Sequence, residues 1–448
     1  MSAARGWPLS NGQSKAHRQK GKQIARALKS IALILLGLLA AFAISWLIYM
    51  PNSDQRGAWR LQTGGAILHL TPLKATLYSE SSHSCLQDLA FPAHMKLVEL
   101  AEGATVDVND GILHLFVDGA LDIAKFDKID TLPSNCIQAN PDTATARDVF
   151  DAVWAAMDEH YAFFDLHGVD WDARRNLAPA PDAQLDDADL TALLLAMTAG
   201  LDDGHVHFGS DEIGYDSPSQ RPDWIPEGPS LDRDILWTIA TDNAGTILKQ
   251  AKTAPISYGL RGDGTGYIMI REMDVNVPFA GNSLDAMGTA FGDVLAQLAP
   301  AKALVIDIRY NPGGSDTVSF GVAGHFTDRA LPIFTKTTRN GAAQTAPFTA
   351  VLEPQGTNTN RRPVVLVTSK LTGSAAEILT LAMRELPNVT TIGEPTSGGL
   401  SDVLGFALPN GWALGLSHQT YLTMNGELFE AIGIPPDISV AFETPQYL

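Results

Sequence analysis

Basic residues are scarce in this 448-residue sequence, and most of the chain is strongly acidic. Seven of the 31 Lys and Arg residues precede the first acidic residue, Asp54, so the remainder holds 24 basic residues against 50 acidic ones, a balance of −26. An acidic body repels phosphates, which excludes nucleic acid as an expected partner. Hydrophobic residues make up 45% of the chain, and this fraction predicts that most of it folds around packed cores.

Charge is absent from Ile31–Met50, a run of twenty residues that matches the thickness of a bilayer core at helical rise. The basic segment before it, residues 1–30, is expected to stay in the cytoplasm as a tail. Residues 31–50 therefore predict a single-pass anchor in the inner (cell) membrane, with the rest of the chain in the periplasm or outside the cell. A cleaved signal peptide is the competing interpretation, although the apolar run is long for one.

Cysteine is nearly absent, since only Cys85 and Cys136 occur and both lie in the exported part. An oxidising compartment favours a disulfide between them, and two buried free thiols are the alternative. Residues 51–142 alternate short apolar runs with turn residues, which predicts a small β domain without a catalytic constellation. The signals are the runs Ala66–Leu70, Lys96–Leu100 and Ile112–Val117 and the hairpin turn Asn109–Gly111.

Residues 143–212 have helical periodicity and predict a helical domain that ends in the sequence Asp203-Gly204-His205-Val206-His207. Three interpretations of the histidines stay open. A His-x-His metal site lacks a third ligand, so no metal is predicted. Structural histidines are common. The third interpretation makes His205 a general base, because a neutral imidazole has a suitable pKa near pH 7.

Ser374 lies at the junction of a predicted strand, Val364–Thr368, and a predicted helix that begins at Ala375. Backbone N–H groups are unpaired at a helix N-terminus, so a hydroxyl there can attack a carbonyl while the Ala375 N–H faces the resulting oxyanion. The plainer interpretation is that Ser374 is an N-cap, with Glu377 completing a capping box.

Asp307 closes an apolar strand that is followed by paired glycines, Gly313 and Gly314. No Gly-Lys-Ser/Thr follows them, which excludes a phosphate loop. The glycines are either a structural turn or a source of a second oxyanion donor. Residues 213–448 alternate apolar strands with helices, a pattern typical of a mostly parallel sheet. The polar stretch Thr335–Thr359 is predicted to be surface-exposed.

These stretches, in this order, resemble the tail-specific and C-terminal-processing serine proteases, especially their tricorn-like branch. The resemblance covers roughly His160–Ser439 and implies a crotonase/ClpP-like α/β catalytic domain behind a helical layer. It also implies peptide-bond hydrolysis with Ser374 as nucleophile, with oxyanion donors from Ala375 and from Gly314 or Gly313. The matching segments are Leu201–His205, Asp307–Gly314, Gly373–Glu377, Gly393–Gly399 and Glu430–Asp437.

The chain departs from the processing proteases in its base. Those enzymes use a lysine in the loop that corresponds to Thr396–Gly399, but this loop reads TSGG and no Lys or Arg follows Arg384. The tricorn-like branch instead pairs its serine with a histidine and a glutamate, and His205 and Glu430 match these. A carboxylate that holds an imidazole fixes its tautomer and stabilises the imidazolium.

The segment between the histidines and the catalytic strands, Gly209 to about Ile256, is too short for the PDZ module that many processing proteases carry. We therefore expect a membrane-anchored, extracytoplasmic serine-type peptidase that hydrolyses peptides or proteins through a Ser–His–Glu relay, without a cofactor. Two alternatives stay open: a non-catalytic ligand- or peptide-binding protein on the same scaffold, and an esterase or amidase. An oligomer is compatible with all of them.

Overall fold

A computed structural model describes residues 42–210, 214–216, 222, 232–277 and 281–442. Residues 42–49 are helical. Most of the predicted anchor, residues 31–41, lies outside the described residues, as does the predicted tail, residues 1–30. Within the described ranges, no helix combines the length and the apolar character needed to cross a membrane.

Eight strands between residues 57 and 137 form one sheet, which we call the N-terminal sheet. Its strands are β1 Gly57–Leu61, β2 Ala66–Leu70, β3 Lys74–Glu80, β4 Cys85–Pro92, β5 Ala104–Asn109, β6 Ile112–Val117, β7 Ala124–Ile129 and β8 Cys136–Ile137. Their spatial order is β5-β6-β7-β1-β2-β3-β4-β8, and neighbouring strands are antiparallel except β4 and β8. Trp59, Leu113 and Phe126 are fully buried in the core of this sheet.

The hairpin prediction at Asn109–Gly111 is confirmed, because Asn109 pairs with Ile112 and both turn residues have positive φ. Cys85 and Cys136 form a disulfide. The strand prediction for Lys96–Leu100 is wrong, since this run lies in helix α1, Met95–Glu102. Local capping decides the outcome: the His94 ring accepts the Leu97 N–H, and Gly103 ends the helix in the left-handed conformation.

The helical layer begins at Thr145, whose side chain completes a capping box with Asp148. Its core contains Tyr161 and Leu194 together with Leu414 and Leu416 from a strand late in the chain. The layer therefore shares a core with residues 213–448, the segment predicted to be catalytic, which we call the catalytic part. The helices of the layer are α2 Ala146–His160, α3 Phe164–His167, the 3₁₀ turn Asp172–Leu177 and α4 Asp187–Thr198.

A seven-stranded sheet forms the centre of the catalytic part. In spatial order, its strands are β11 Lys249–Gln250, β12 Ile256–Leu260, β13 Thr265–Ile270, β14 Ala303–Asp307, β18 Val364–Thr368, β19 Val389–Gly393 and β23 Ile438–Ser439. The strands from β13 to β23 are parallel. On β13, Ile268 and Ile270 pack in one core, whereas Tyr267 and Met269 pack in another, so helices cover both faces of the sheet. The α/β prediction is confirmed.

Two smaller sheets complete the catalytic part. The first consists, in spatial order, of β10 Gly214–Asp216, β9 His207–Gly209, β21 Ala413–Ser417 and β20 Val403–Ala407. In the second, β15 Leu331–Asn340 pairs with β16 Ala343–Gln344, β17 Phe348–Leu352 and β22 Gln419–Thr423. The helices are α5 Arg233–Asp242, α6 Ser283–Gln297, α7 Asp316–Ala323, the 3₁₀ turn Gly324–Phe326 and α8 Ala375–Arg384. The prediction of an exposed Thr335–Thr359 is wrong in part, because β15 and β17 bury Lys336, Ala350 and Leu352.

Candidate active site

Ser374 lies between strand β18 and helix α8, as the sequence predicts. Its φ of 52° is one that residues with a Cβ rarely adopt, and such strain is often stored at functional sites. The surrounding chain holds this conformation, because the Ser374 N–H donates to the Gly399 carbonyl at 3.1 Å and to Glu377 Oε2 at 3.0 Å. The side chain is half-buried at the edge of a cavity.

The double-glycine turn packs directly against Ser374. A Cβ on Gly313 would lie 2.6 Å from the Ser374 Cβ, and a Cβ on Gly314 would lie 2.3 Å from the Met273 carbonyl oxygen, so only glycine fits at either position. The Gly313 N–H already donates to Asn311 Oδ1 at 2.9 Å. Among the described residues, the N–H groups of Gly314 and Ala375 have no hydrogen-bond acceptor. Gly314 and Ala375 are thus better suited than Gly313 to receive an oxyanion.

Glu377 is fully buried beneath Ser374 and organises the TSGG loop. Burial raises the pKa of its carboxyl above the ordinary value, against the effect of its hydrogen bonds. The capping interpretation of Ser-x-x-Glu is confirmed for the glutamate, but its carboxylate has a wider role in the loop. Besides the Ser374 N–H, it accepts hydrogen bonds from Thr396 Oγ1 at 2.6 Å, Ser397 Oγ at 3.1 Å, Gly398 N at 2.8 Å and Gly399 N at 2.9 Å.

His205 lines the same cavity as Ser374, so the structure brings these two predicted residues to one site. Burial lowers the pKa of its imidazole, while Asp203 and Asp402 act in the opposite direction. Its Nδ1 is buried without a hydrogen-bond partner. No hydrogen bond joins His205 to Ser374, although both lie in the described part of the chain.

Glu430 is buried, and its Oε2 accepts the N–H groups of Leu400 at 3.0 Å and Ser401 at 3.1 Å. Burial, together with the charges of Asp203 and Glu377, raises the pKa of Glu430 well above its ordinary value. Glu430 makes no hydrogen bond or ion pair with His205 within the described residues. The structure thus connects it to the backbone that follows the TSGG loop.

Asp203, which was not predicted to have a catalytic role, is the carboxylate most directly connected to His205. Its Oδ1 accepts the His205 backbone N–H at 2.9 Å and the Ser417 hydroxyl at 3.1 Å. Its Oδ2 is buried, as is the hydroxyl of Tyr161, with which the Asp203 carboxylate interacts. Burial and the Asp203 charge raise the pKa of Tyr161, so this phenol stays protonated. The signal in the sequence was the proximity of an aspartate to His205.

The cavity beside Ser374 has a volume of about 180 Å³, and Arg233, Lys370 and Asp202 also line it. Arg233 Nη1 donates to the backbone carbonyls of Tyr310 and Leu371 at 2.8 and 3.1 Å. Burial lowers the pKa of Arg233. A search of the described residues finds no cluster of three or more His, Cys, Asp or Glu side chains that suits a metal ion. The groups at this site are those of acyl-transfer chemistry.

Comparisons with known proteins identify the same region. Residues 264–440 match the family model described as peptidase family S41, and residues 142–176 match the tricorn protease C1 domain. Carboxy-terminal processing protease CtpA of Bacillus subtilis is 29% identical over 147 residues, which are 33% of this chain and 30% of that protein. The carboxy-terminal-processing protease of Bartonella bacilliformis is 26% identical over 197 residues, 44% of this chain and 43% of the relative. The matches thus span less than half of each relative.

The crystal structure of a putative peptidase from Parabacteroides merdae superimposes with a TM-score of 0.56 at 28% identity, covering 67% of this chain and 90% of that one. This superposition covers more of the chain than residues 264–440, the segment that matches the family model. Residues 264–440 thus match the peptidase family S41 model, and the chain is similar to carboxy-terminal processing proteases over less than half of their length.

Proposed function

We propose that this protein is a serine-type peptidase that hydrolyses peptide bonds through Ser374, His205 and Glu430. The observation that carries the proposal is the position of Ser374, in a strained turn at a helix N-terminus, packed against the Gly313–Gly314 turn and in one cavity with His205. Backbone N–H donors in such a place stabilise the charge that develops on a carbonyl oxygen during attack.

In the proposed reaction, Ser374 Oγ attacks the carbonyl carbon while a ring nitrogen of His205 takes the hydroxyl proton. The tetrahedral oxyanion receives hydrogen bonds from Ala375 and Gly314. The imidazolium then donates its proton to the departing amine, and a water molecule hydrolyses the acyl-enzyme by the reverse sequence. Because His205 and Ser374 are not hydrogen-bonded in the free site, the imidazole must move towards the serine when a substrate binds.

The role we assign to Glu430 is to fix the Leu400–Ser401 backbone and to orient His205 when the imidazole moves. Glu430 is 3% exposed and forms no ion pair among the described residues, and two backbone N–H groups hold its Oε2.

The decisive experiment is covalent labelling with a fluorophosphonate probe, combined with cleavage of a peptide panel. We expect the probe to modify Ser374, and Ser374→Ala to lower kcat by about 10⁴-fold or more without unfolding the protein. Ser82→Ala, at an exposed serine, is the matched control. An unlabelled Ser374 would favour the non-catalytic binding protein, and cleavage of esters alone would favour an esterase.

We also propose that residues 31–50 anchor the protein in the cell membrane and that the catalytic part lies outside the cytoplasm. The Cys85–Cys136 disulfide supports this location, because disulfides persist in oxidising compartments. Protease digestion of intact and permeabilised cells tests the topology. Degradation of the catalytic part only after the inner membrane is opened would contradict it.

A further inference from the structure

A loop of the N-terminal sheet contacts two parts of the candidate active site. This loop, Asp118–Asp122, joins β6 to β7, and we call it the clamp loop. It is far in sequence from Ser374, His205 and Glu430, and it belongs to none of the segments that resemble the processing proteases. Two of its carboxylates and one carbonyl contact the catalytic part.

The first contact is beside the double-glycine turn. The Asp118 carboxylate accepts the Ser283 N–H at 2.9 and 3.0 Å and the Ser283 hydroxyl at 2.8 Å. The Gly119 carbonyl accepts the Thr317 N–H and the Ser315 hydroxyl, each at 3.3 Å. The Ser283 hydroxyl that Asp118 holds is also hydrogen-bonded to Thr317 Oγ1 on α7. Since Ser315 directly follows Gly314, the contacts of Asp118 and Gly119 together fix the start of α7, beside a candidate oxyanion donor.

The second contact passes through a buried lysine. Lys336 on β15 is 2% exposed, and its Nζ lies 2.7 Å from Asp122 Oδ1 and 2.9 Å from Asp402 Oδ2. Burial lowers the pKa of Lys336, but Asp402 and Asp122 outweigh this effect and raise it to about 12. The ammonium therefore stays charged and depends on both carboxylates.

Asp402 connects this ammonium to the proposed relay. It follows Ser401, whose N–H binds Glu430 Oε2 at 3.1 Å, and its carbonyl accepts from His418 Nδ1 at 2.9 Å. The charge of Asp402 and the backbone of Ser401 both act on the His205 imidazole. A displacement of Asp402 thus reaches Glu430 and His205 together.

We propose that the clamp loop is a positioning element of the active site, with Asp118 fixing the oxyanion turn and Asp122 fixing the Ser401–Asp402 backbone through Lys336. The proposal rests on the proposed function of Ser374, His205 and Glu430. If the clamp loop only held the N-terminal sheet against the catalytic part, it would stabilise the folded protein without changing the chemical step. A positioning element instead changes kcat while substrate binding is retained.

The test compares Asp122→Asn and Asp118→Asn with Asp110→Asn, a matched control at the hairpin tip of the same sheet. Both clamp variants should lower kcat and the rate of fluorophosphonate labelling by about tenfold to a hundredfold, with KM changed less than about twofold. Asp122→Glu should restore part of the rate, because it keeps the negative charge beside Lys336. Circular dichroism identifies the folded variants, and only these are compared.

A second readout does not require catalysis. The NMR signals of the His205 imidazole should shift in Asp122→Asn and stay unchanged in Asp110→Asn. Folded clamp variants with wild-type rates and unchanged imidazole signals would overturn the proposal. If Ser374 proves unreactive in the wild-type protein, the proposed function fails, whereas the imidazole signals still decide the positioning role.

Discussion

Glu377 Oε2 accepts the backbone N–H of Ser374 at 3.0 Å and that of Gly399 at 2.9 Å, so one oxygen joins the nucleophile to the loop that faces it. The Ser374 N–H also donates to the Gly399 carbonyl. The loop, Thr396–Gly399, contains no lysine, and a carboxylate from the helix that begins after Ser374 holds it in place.

Glu377→Gln should destabilise the protein. An amide in place of the carboxylate brings N–H donors towards backbone and hydroxyl donors, which leaves buried groups unsatisfied at a cost of about 2 kcal/mol or more. Urea denaturation measures the loss in the free energy of unfolding. Glu385→Gln, at the exposed end of the same helix, is the control and should change it by less than about 0.5 kcal/mol. Equal stabilities of the two variants would show that Glu377 does not hold the loop.

Ser374→Gly should increase stability while abolishing peptide cleavage. Glycine adopts a φ of 52° without the steric cost that a Cβ incurs, so the free energy of unfolding should rise by about 1 kcal/mol. Ser374→Ala keeps the Cβ and should leave stability nearly unchanged. Thermal unfolding of the two inactive variants separates backbone strain from loss of the hydroxyl, and a lower stability for the glycine variant would refute the strain.

The pH dependence of kcat/KM should report His205. Since burial lowers its pKa, the neutral imidazole should persist below the ordinary value of about 6.5, and activity should decline only at lower pH. Asp203→Asn removes a charge that favours the imidazolium, so the acidic limb should move to still lower pH. Asp202→Asn, at the exposed neighbour, should leave the limb in place. A shift towards higher pH in Asp203→Asn would contradict the assignment.

Reduction of the Cys85–Cys136 disulfide should destabilise the N-terminal sheet. The bridge joins residues 51 apart, and loop closure over that length corresponds to roughly 4 kcal/mol in the chain-entropy model. Thermal unfolding with and without dithiothreitol measures the effect, and the Cys85→Ser/Cys136→Ser double variant should match the reduced protein. A midpoint that reductant leaves unchanged would count against a structural role.

Local sequence signals predicted part of this arrangement. The β-branched run of β18 has the predicted bounds, Val364–Thr368, because apolar character and flanking turn residues are local properties. The burial of Lys336 was not predictable, since its counter-charges, Asp122 and Asp402, lie far away in the sequence. The missed role of Asp203 has the same cause, because its second donor, the Ser417 hydroxyl, comes from β21.

The bonds from Leu400 and Ser401 to Glu430 have a consequence for biosynthesis. A nascent chain that has not yet reached residue 430 lacks the acceptor for both N–H groups, although its serine and histidine have already been made. The proposed relay therefore cannot be completed before residue 430 has been synthesised. A chain that ends before this residue should carry both the serine and the histidine and still cleave no peptide.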